Sequence, residues 1–218
     1  GMRVAFGLIA SVSLNSYFKL WFVGPRPYWV SGNVQGLSAE TSFGVPSGHA
    51  QNAMAVWGII AARIGKRVAW MLAITLAFLI GFSRLYLGVH FVHDVLAGWA
   101  LGAAVLWGVL RFWDPVAAWL KSKTVTSQIS LAFVMSLVMI ALGYASAARL
   151  DGYIFPEEYR VNALRASDEL PAPASLETIV TSAGTFFGLA AGLAWILSRG
   201  GYQADGPGGK RALRFFVG

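Results

Sequence analysis

Long apolar runs alternate with short polar breaks along almost the whole chain. A helix needs about 20 mainly apolar residues to cross a hydrocarbon layer, with a range of about 17–25. Six stretches reach or approach that length: Met2–Val23, a shorter one from Pro46-Ser47-Gly48 to about Arg63 that holds some polar residues, Val68–Leu87, Phe91–Trp113, Ile129–Ala148 and Leu176–Leu197. The pattern predicts an all-α, polytopic transmembrane bundle of about six spans, without internal repeats. No connecting segment is long enough to hold a core of its own.

The breaks differ in character. Gly24–Val45 is rich in Gly, Pro and Ser and reads as an irregular loop. Ile64-Gly65-Lys66-Arg67 is a tight basic turn. Asp114-Pro115 is expected to open a linker over residues 114–126, lying along the interface or solvated, with Trp119 among apolar residues and Lys121 and Lys123 at its end. Asp151–Ala174 is acidic, with Asp151, Glu157, Glu158, Asp168 and Glu169. The tail from Arg199 is Gly-rich and basic and is expected to be disordered. The chain thus divides into a four-span unit at 1–113, the linker, two further spans within 127–198, and the tail at 199–218. It opens Gly1-Met2-Arg3, so Gly1 is expected to be an addition or the native start to be missing. The first apolar stretch is too long for a signal-peptide core and lacks a small-residue cleavage site, so it is read as a span.

Composition agrees with a membrane protein. Hydrophobic residues make up 56% of the chain and charged residues 12%, about half the charged share of a soluble domain. The many Trp and Tyr suit headgroup belts, although packing explains most of them singly. There is no Cys, which excludes a disulfide framework and thiolate metal ligands. The net charge of +7 falls mostly between spans, so it points to orientation in a bilayer and not to nucleic acid. With alternating spans, Arg3, Arg63, Lys66, Arg67, Arg111, Lys121, Lys123, Arg199, Lys210, Arg211 and Arg214 share one side. The positive-inside rule makes that side cytoplasmic. Lys19, Arg26, His49, Arg84, His90 and the acidic loop fall on the other.

The chemistry concentrates there. An ionisable side chain in or beside a span is expensive and therefore a functional candidate. Lys19 or Arg84 alone is equally well explained by snorkelling to headgroups. Together, Lys19, Arg26 and Arg84 supply the cations that a phosphate dianion needs. Pro46-Ser47-Gly48-His49 stands where a helix begins. Ser47 can cap it, and Gly48 lets backbone N–H groups approach an anion. His90 and Asp94 are four apart and share a helix face. A carboxylate on Nδ1 leaves Nε2 as a nucleophile, and the nearby cations should push the His90 pKa down. His49 would then protonate a leaving alkoxide. A metal at His90, His93 and Asp94 is the alternative, opposed by the three cations. Asn15, Gln51, Asn52 and Thr75 are scattered and read as local helix contacts.

Lys-x6-Arg-Pro, Pro-Ser-Gly-His and Ser-Arg-x5-His-x3-Asp together resemble the signature of the type 2 phosphatidic acid phosphatase (PAP2) family. Every fixed residue is present: Lys19, Arg26, Pro27, Pro46, Ser47, Gly48, His49, Ser83, Arg84, His90 and Asp94. The likeness covers about Lys19–Trp107. It implies a lipid phosphate phosphatase that binds phosphate through Lys19, Arg26, Ser47, Gly48 and Arg84. His90 would be the nucleophile, Asp94 its orienting partner and His49 the acid and later the base. It implies no cofactor and no metal, and a lipid phosphate as substrate; with the distribution of basic residues, the site is expected on the extracytoplasmic side of a bacterial inner membrane. A phosphotransferase using a sugar or lipid hydroxyl fits the same residues. A transporter or inactive scaffold would be expected to have lost a motif His or Arg. The run Ser83–His90 resembles the sphingosine-phosphate and bacterial lipid-phosphatase branch. Two departures stand out: one span precedes Arg26 where many members have two, and the last two spans have no catalytic role.

Overall fold

Helix is the backbone state that satisfies every N–H and C=O internally, which a hydrocarbon surrounding requires. The computed structural model describes residues 1–167, 169–201 and 205–217. Asp168 of the acidic loop and positions 202–204 and 218 of the tail lie outside the described residues. Among the described residues there are nine helices and no strand: α1 (Met2–Phe22), α2 (Pro27–Val30), α3 (Gly48–Ile64), α4 (Arg67–Tyr86), α5 (Val92–Lys121), α6 (Val125–Ala148), α7 (Glu157–Ser167), α8 (Glu177–Ser198) and α9 (Gly208–Val217).

Among the described residues, five helical segments are long and apolar enough to cross a membrane: Met2–Val30, which contains α1, and helices α4, α5, α6 and α8. Their outward positions are apolar. Leu72, Ile74, Phe78, Leu79 and Phe82 on α4 and Phe133, Val134 and Leu137 on α6 are exposed. This is the surface of an integral membrane bundle. The expected second span, α3, has only 17 residues. Gly65 stops it in a left-handed conformation (φ 70°), its N–H bonded to the Ala61 carbonyl, as a glycine C-cap does.

The centre of the bundle is α3, packed between α1, α4 and α5. Two glycines of α5 permit the close approach. A Cβ at Gly98 would meet the Ser47 carbonyl oxygen, and one at Gly102 the Gln51 carbonyl oxygen. Small residues that let backbones touch are the usual device for helix association in lipid. On the other side, α1 and α3 share a polar network. Asn15 donates to the Pro46 carbonyl (3.2 Å) and to Gln51 Oε1 (2.9 Å). Gln51 donates to the Ser11 carbonyl (2.8 Å), and Ser11 Oγ to Asn52 Oδ1 (2.7 Å). Asn15, Gln51 and Asn52 therefore join two helices where local contacts are expected.

Three further expectations need correction. The break at Asp114-Pro115 does not form, because α5 continues through Pro115 to Lys121. Proline removes one helical hydrogen bond, and an ion pair from Arg3 Nη2 to Asp114 Oδ1 (2.6 Å) ties this turn to the start of α1. The linker from α5 to α6 is thereby reduced to residues 122–124. Within the acidic stretch, α7 packs on α2. Tyr28, Trp29, Phe43, Val89 and Ala163 form one buried cluster, and Asn162 Nδ2 donates to the Trp29 carbonyl (3.0 Å). In the tail, α9 is helical, with Lys210, Arg211 and Arg214 among apolar residues.

The last two spans buttress α1. Tyr17 Oη donates to the Met139 carbonyl (2.9 Å), Trp21 Nε1 to Ser146 Oγ (3.2 Å), and the Arg149 guanidinium stacks 3.9 Å from the Trp21 ring centroid. α8 lies against both α6 and α1.

Candidate active site

Four helix ends and one loop meet at one end of the bundle. Lys19 lies in the last turn of α1, Arg26 just before α2, Ser47-Gly48-His49 at the start of α3, Arg84 in the last turn of α4, and His90 and Asp94 at the start of α5. The backbone joins two of these directly: Ser47 N–H donates to the Asp94 carbonyl (2.9 Å). Gly44 lets the loop pass Asp94, since a Cβ there would lie 3.2 Å from Asp94 Oδ2 and closer still to the Pro25 carbonyl.

His90 and Asp94 are both buried. His90 Nδ1 is 3.2 Å from Asp94 Oδ2, and that same oxygen accepts the Phe91 N–H (2.9 Å). On the far side of the ring, Arg26 Nη1 is 3.3 Å from Nε2. A guanidinium can only donate, so Nε2 presents its lone pair and Nδ1 carries the hydrogen. Burial first, then the charges of Arg26 and Lys19, lower the His90 pKa to about 4 against the raising effect of the Asp94 bond. His93 Nε2 stands 3.0 Å from Asp94 Oδ1, without hydrogen-bond alignment.

Arg26 is fully buried and engaged at all three nitrogens. Nε donates to the Ser42 carbonyl (2.7 Å) and Nη1 to the Val89 carbonyl (3.1 Å). Nη2 reaches Glu40 Oε2 (3.3 Å), Ser42 Oγ (3.2 Å) and the Phe43 carbonyl (3.2 Å). Lys19 Nζ donates to Ser42 Oγ (2.7 Å). Arg84 is half-buried, with Nε on Ser83 Oγ (3.3 Å), and its charge acts on His49. The Ser47 hydroxyl makes no cap bond to α3. It is buried and has no hydrogen-bond partner among the described residues, so the expected capping role goes unused. A buried hydroxyl left in this state is costly in a folded chain and needs a reason.

Glu40 and Ser42 are the site residues missed in the sequence. They stand in the irregular loop outside all three motif blocks. The Glu40 carboxylate reaches Arg26 with one oxygen and lies 3.9 Å from His49 Nδ1 with the other. Burial acts to raise its pKa, but Arg26 and Lys19, then His90 and His49, outweigh burial and hold it below the ordinary value. The remaining signal was faint: one acidic residue within a short loop between two motif blocks.

The PAP2 superfamily model matches residues 1–118. Phosphatidylglycerophosphatase B of Bacillus subtilis is 38% identical over 108 residues, which is 45% of this chain and 51% of that protein. Glucose-6-phosphatase 3 of Mus musculus is 33% identical over 119 residues, 43% of this chain and 34% of that one. Undecaprenyl-diphosphatase of Sulfolobus acidocaldarius is 29% identical over 104 residues, 47% of this chain and 50% of that one. The chain spans about half the length of these relatives, or less. The family model covers more than half of the 218 residues and includes every residue of the three motif blocks, and the chain therefore belongs to the PAP2 superfamily.

Proposed function

We propose that this chain is an integral-membrane phosphatase that hydrolyses a lipid phosphomonoester or diphosphate through a phosphohistidine intermediate. The observation that carries the reading is the buried His90 ring, held between Asp94 Oδ2 at 3.2 Å and Arg26 Nη1 at 3.3 Å. That arrangement gives a neutral imidazole whose Nε2 lone pair faces the Arg26 guanidinium, which must yield it to phosphorus when substrate binds.

The steps follow from these positions. The substrate phosphate enters among Lys19, Arg26 and Arg84, with the Ser47 hydroxyl and the Gly48 N–H at the start of α3 as further donors. His90 Nε2 attacks phosphorus as the bond to the leaving oxygen breaks. His49 gives that oxygen its proton, so an alcohol or a lipid monophosphate departs. His49 next takes a proton from water, whose oxygen attacks the phosphohistidine. The N–P bond breaks, inorganic phosphate forms and His90 returns to its neutral state. Asp94 orients the ring throughout and balances the positive charge that develops on it.

A lipid substrate is supported by the apolar, membrane-spanning helices that carry the site and by the relatives named phosphatidylglycerophosphatase B and undecaprenyl-diphosphatase. We place the site at the extracytoplasmic face of a bacterial inner membrane, on the distribution of basic residues. Residues 1–113 would supply the chemistry.

The test is to trap the intermediate. The detergent-solubilised chain is mixed with a ³²P-labelled lipid phosphate, quenched in alkali, which preserves phosphohistidine, and mapped by peptide. Label on the peptide carrying His90, absent in His90→Ala, is the expected result. His90→Ala turning over at the wild-type rate would sink the mechanism.

A further inference from the structure

We propose that Glu40 is a positioning residue for His49: its carboxylate orients the imidazole and stabilises the imidazolium that gives its proton to the leaving oxygen. The proposal rests on the general-acid reading above and adds to it a residue that lies outside the three motif blocks.

The loop that carries Glu40 is fixed from four directions. Tyr28 Oη donates to the Glu40 carbonyl (2.8 Å). Arg26 Nε holds the Ser42 carbonyl (2.7 Å). Gly44 N–H donates to the Gly24 carbonyl (2.8 Å), and Ala172 N–H to the Thr41 carbonyl (3.0 Å). A carboxylate on so constrained a backbone has little freedom in where it points. Its two oxygens are divided between Arg26 Nη2 at 3.3 Å and His49 Nδ1 at 3.9 Å, and only 18% of the side chain is exposed. His49, by contrast, is 55% exposed, so nothing buries its ring in one rotamer. At 3.9 Å the pair is an ion-pair contact and not a hydrogen bond. With Nδ1 on Glu40, Nε2 is the nitrogen left to face substrate. The pairing is a looser counterpart of the one at His90, where Asp94 Oδ2 lies 3.2 Å from Nδ1.

The charges around His49 show why such a partner is needed. Burial first, then the positive charges of Arg84 from α4, Lys19 from α1 and Arg26 from the segment before α2, hold the His49 pKa below its ordinary value, and the Glu40 carboxylate from the loop acts against them. Three cations suit a phosphate dianion but disfavour an imidazolium among them. A general acid must carry its proton at the moment of bond breaking. The Glu40 carboxylate offsets part of that opposition.

The experiment compares leaving groups on the full chain in one detergent. p-Nitrophenyl phosphate releases a phenolate that needs no proton, whereas decyl phosphate releases an alkoxide that does. His49→Ala is expected to lose about 10²-fold more in kcat/KM on the alkyl ester than on the aryl ester. Glu40→Gln is expected to show the same split at about tenfold or more, with the basic limb of its alkyl-ester pH profile moved to lower pH. Glu40→Asp keeps the charge one methylene short. It should show a smaller split, and it carries the comparison if Glu40→Gln does not fold. Equal losses on both esters in the Glu40 variants, alongside a split in His49→Ala, would overturn the positioning role and leave Glu40 as a clamp on Arg26. No split in His49→Ala would remove the general-acid reading itself.

Discussion

A histidine with a carboxylate behind it and a guanidinium in front has one comfortable tautomer, and the proposed chemistry depends on it. Replacing Asp94 by Asn keeps the shape but lets the amide N–H₂ face Nδ1, which favours the wrong tautomer. The expected loss is about 10²–10⁴-fold in kcat/KM, read with an alkyl phosphate. The pH profile carries a separate signature. The His90 pKa is lowered to about 4, first by burial, from an ordinary value near 6.5. Nucleophilic attack needs the neutral ring, so activity should persist as pH falls below 6 and drop only as pH passes through about 4. Asp94 raises that pKa, so the residual activity of Asp94→Asn should have its acid limb at still lower pH. An acid limb near 6.5 in the wild type would mean that the attacking group is not this buried ring. The motif residues were legible because each belongs to a block with fixed internal spacing. Glu40 was not, because an irregular loop has no periodicity from which to read where a carboxylate will point. That direction is set by Tyr28 and Arg26, contacts that exist only once the loop has folded back on them.

Among the helices, the site is held together chiefly where α3 meets α5. Ser47 and His49 stand at the start of α3, Asp94 at the start of α5, and Gly98 and Gly102 let the two backbones touch just below. In Gly102→Val the added Cβ collides with the Gln51 carbonyl oxygen. Backbone cannot rotate away as a side chain can, so α3 must shift and carry His49 away from His90. The variant should lose at least about tenfold in kcat/KM and unfold at a lower temperature, as overpacking in a dense interface costs about 1–3 kcal/mol. Wild-type turnover in Gly102→Val would show that helix spacing does not set the site geometry. A milder test concerns α7. Asn162→Ala leaves the Trp29 carbonyl without its donor, at a cost of about 1–3 kcal/mol, visible as a lower unfolding temperature in detergent. The membrane helices were readable from apolar length alone, with most ends near those expected, except that α5 runs past the expected Trp113 to Lys121. Helix α7 was hidden because its sequence is polar and acidic and its packing is against α2, far away in sequence. The continuation of α5 through Pro115 was hidden for a different reason. Proline marks a probable helix end, and the long apolar helix on its N-terminal side, with the Arg3 ion pair at Asp114, outweighs that preference here.

Across the whole molecule, the ends of α3 separate two kinds of chemistry. The helix rises about 25 Å over its length, from His49 at one end to Arg63 and the Lys66-Arg67 turn at the other. Arg3 and Asp114 pair where α1 begins, away from Lys19 in its last turn. Basic residues flanking the spans on this second side favour retention in the cytoplasm, which is the ground for placing the site outside. The chain has no Cys, so one introduced thiol reports its own side of the membrane without background. Glu158 on α7 and Ser122 after α5 are both exposed, and neither takes part in the proposed chemistry. In intact cells Glu158→Cys should react with a membrane-impermeant maleimide, whereas Ser122→Cys should react only after permeabilisation. The reverse pattern would put His90 and its phosphate at the cytoplasmic surface. The substrate would then have to come from the inner leaflet, while the bonds made and broken at His90 would stay as described. The labelling thus tests the topology apart from the catalysis, and decides which leaflet supplies the lipid.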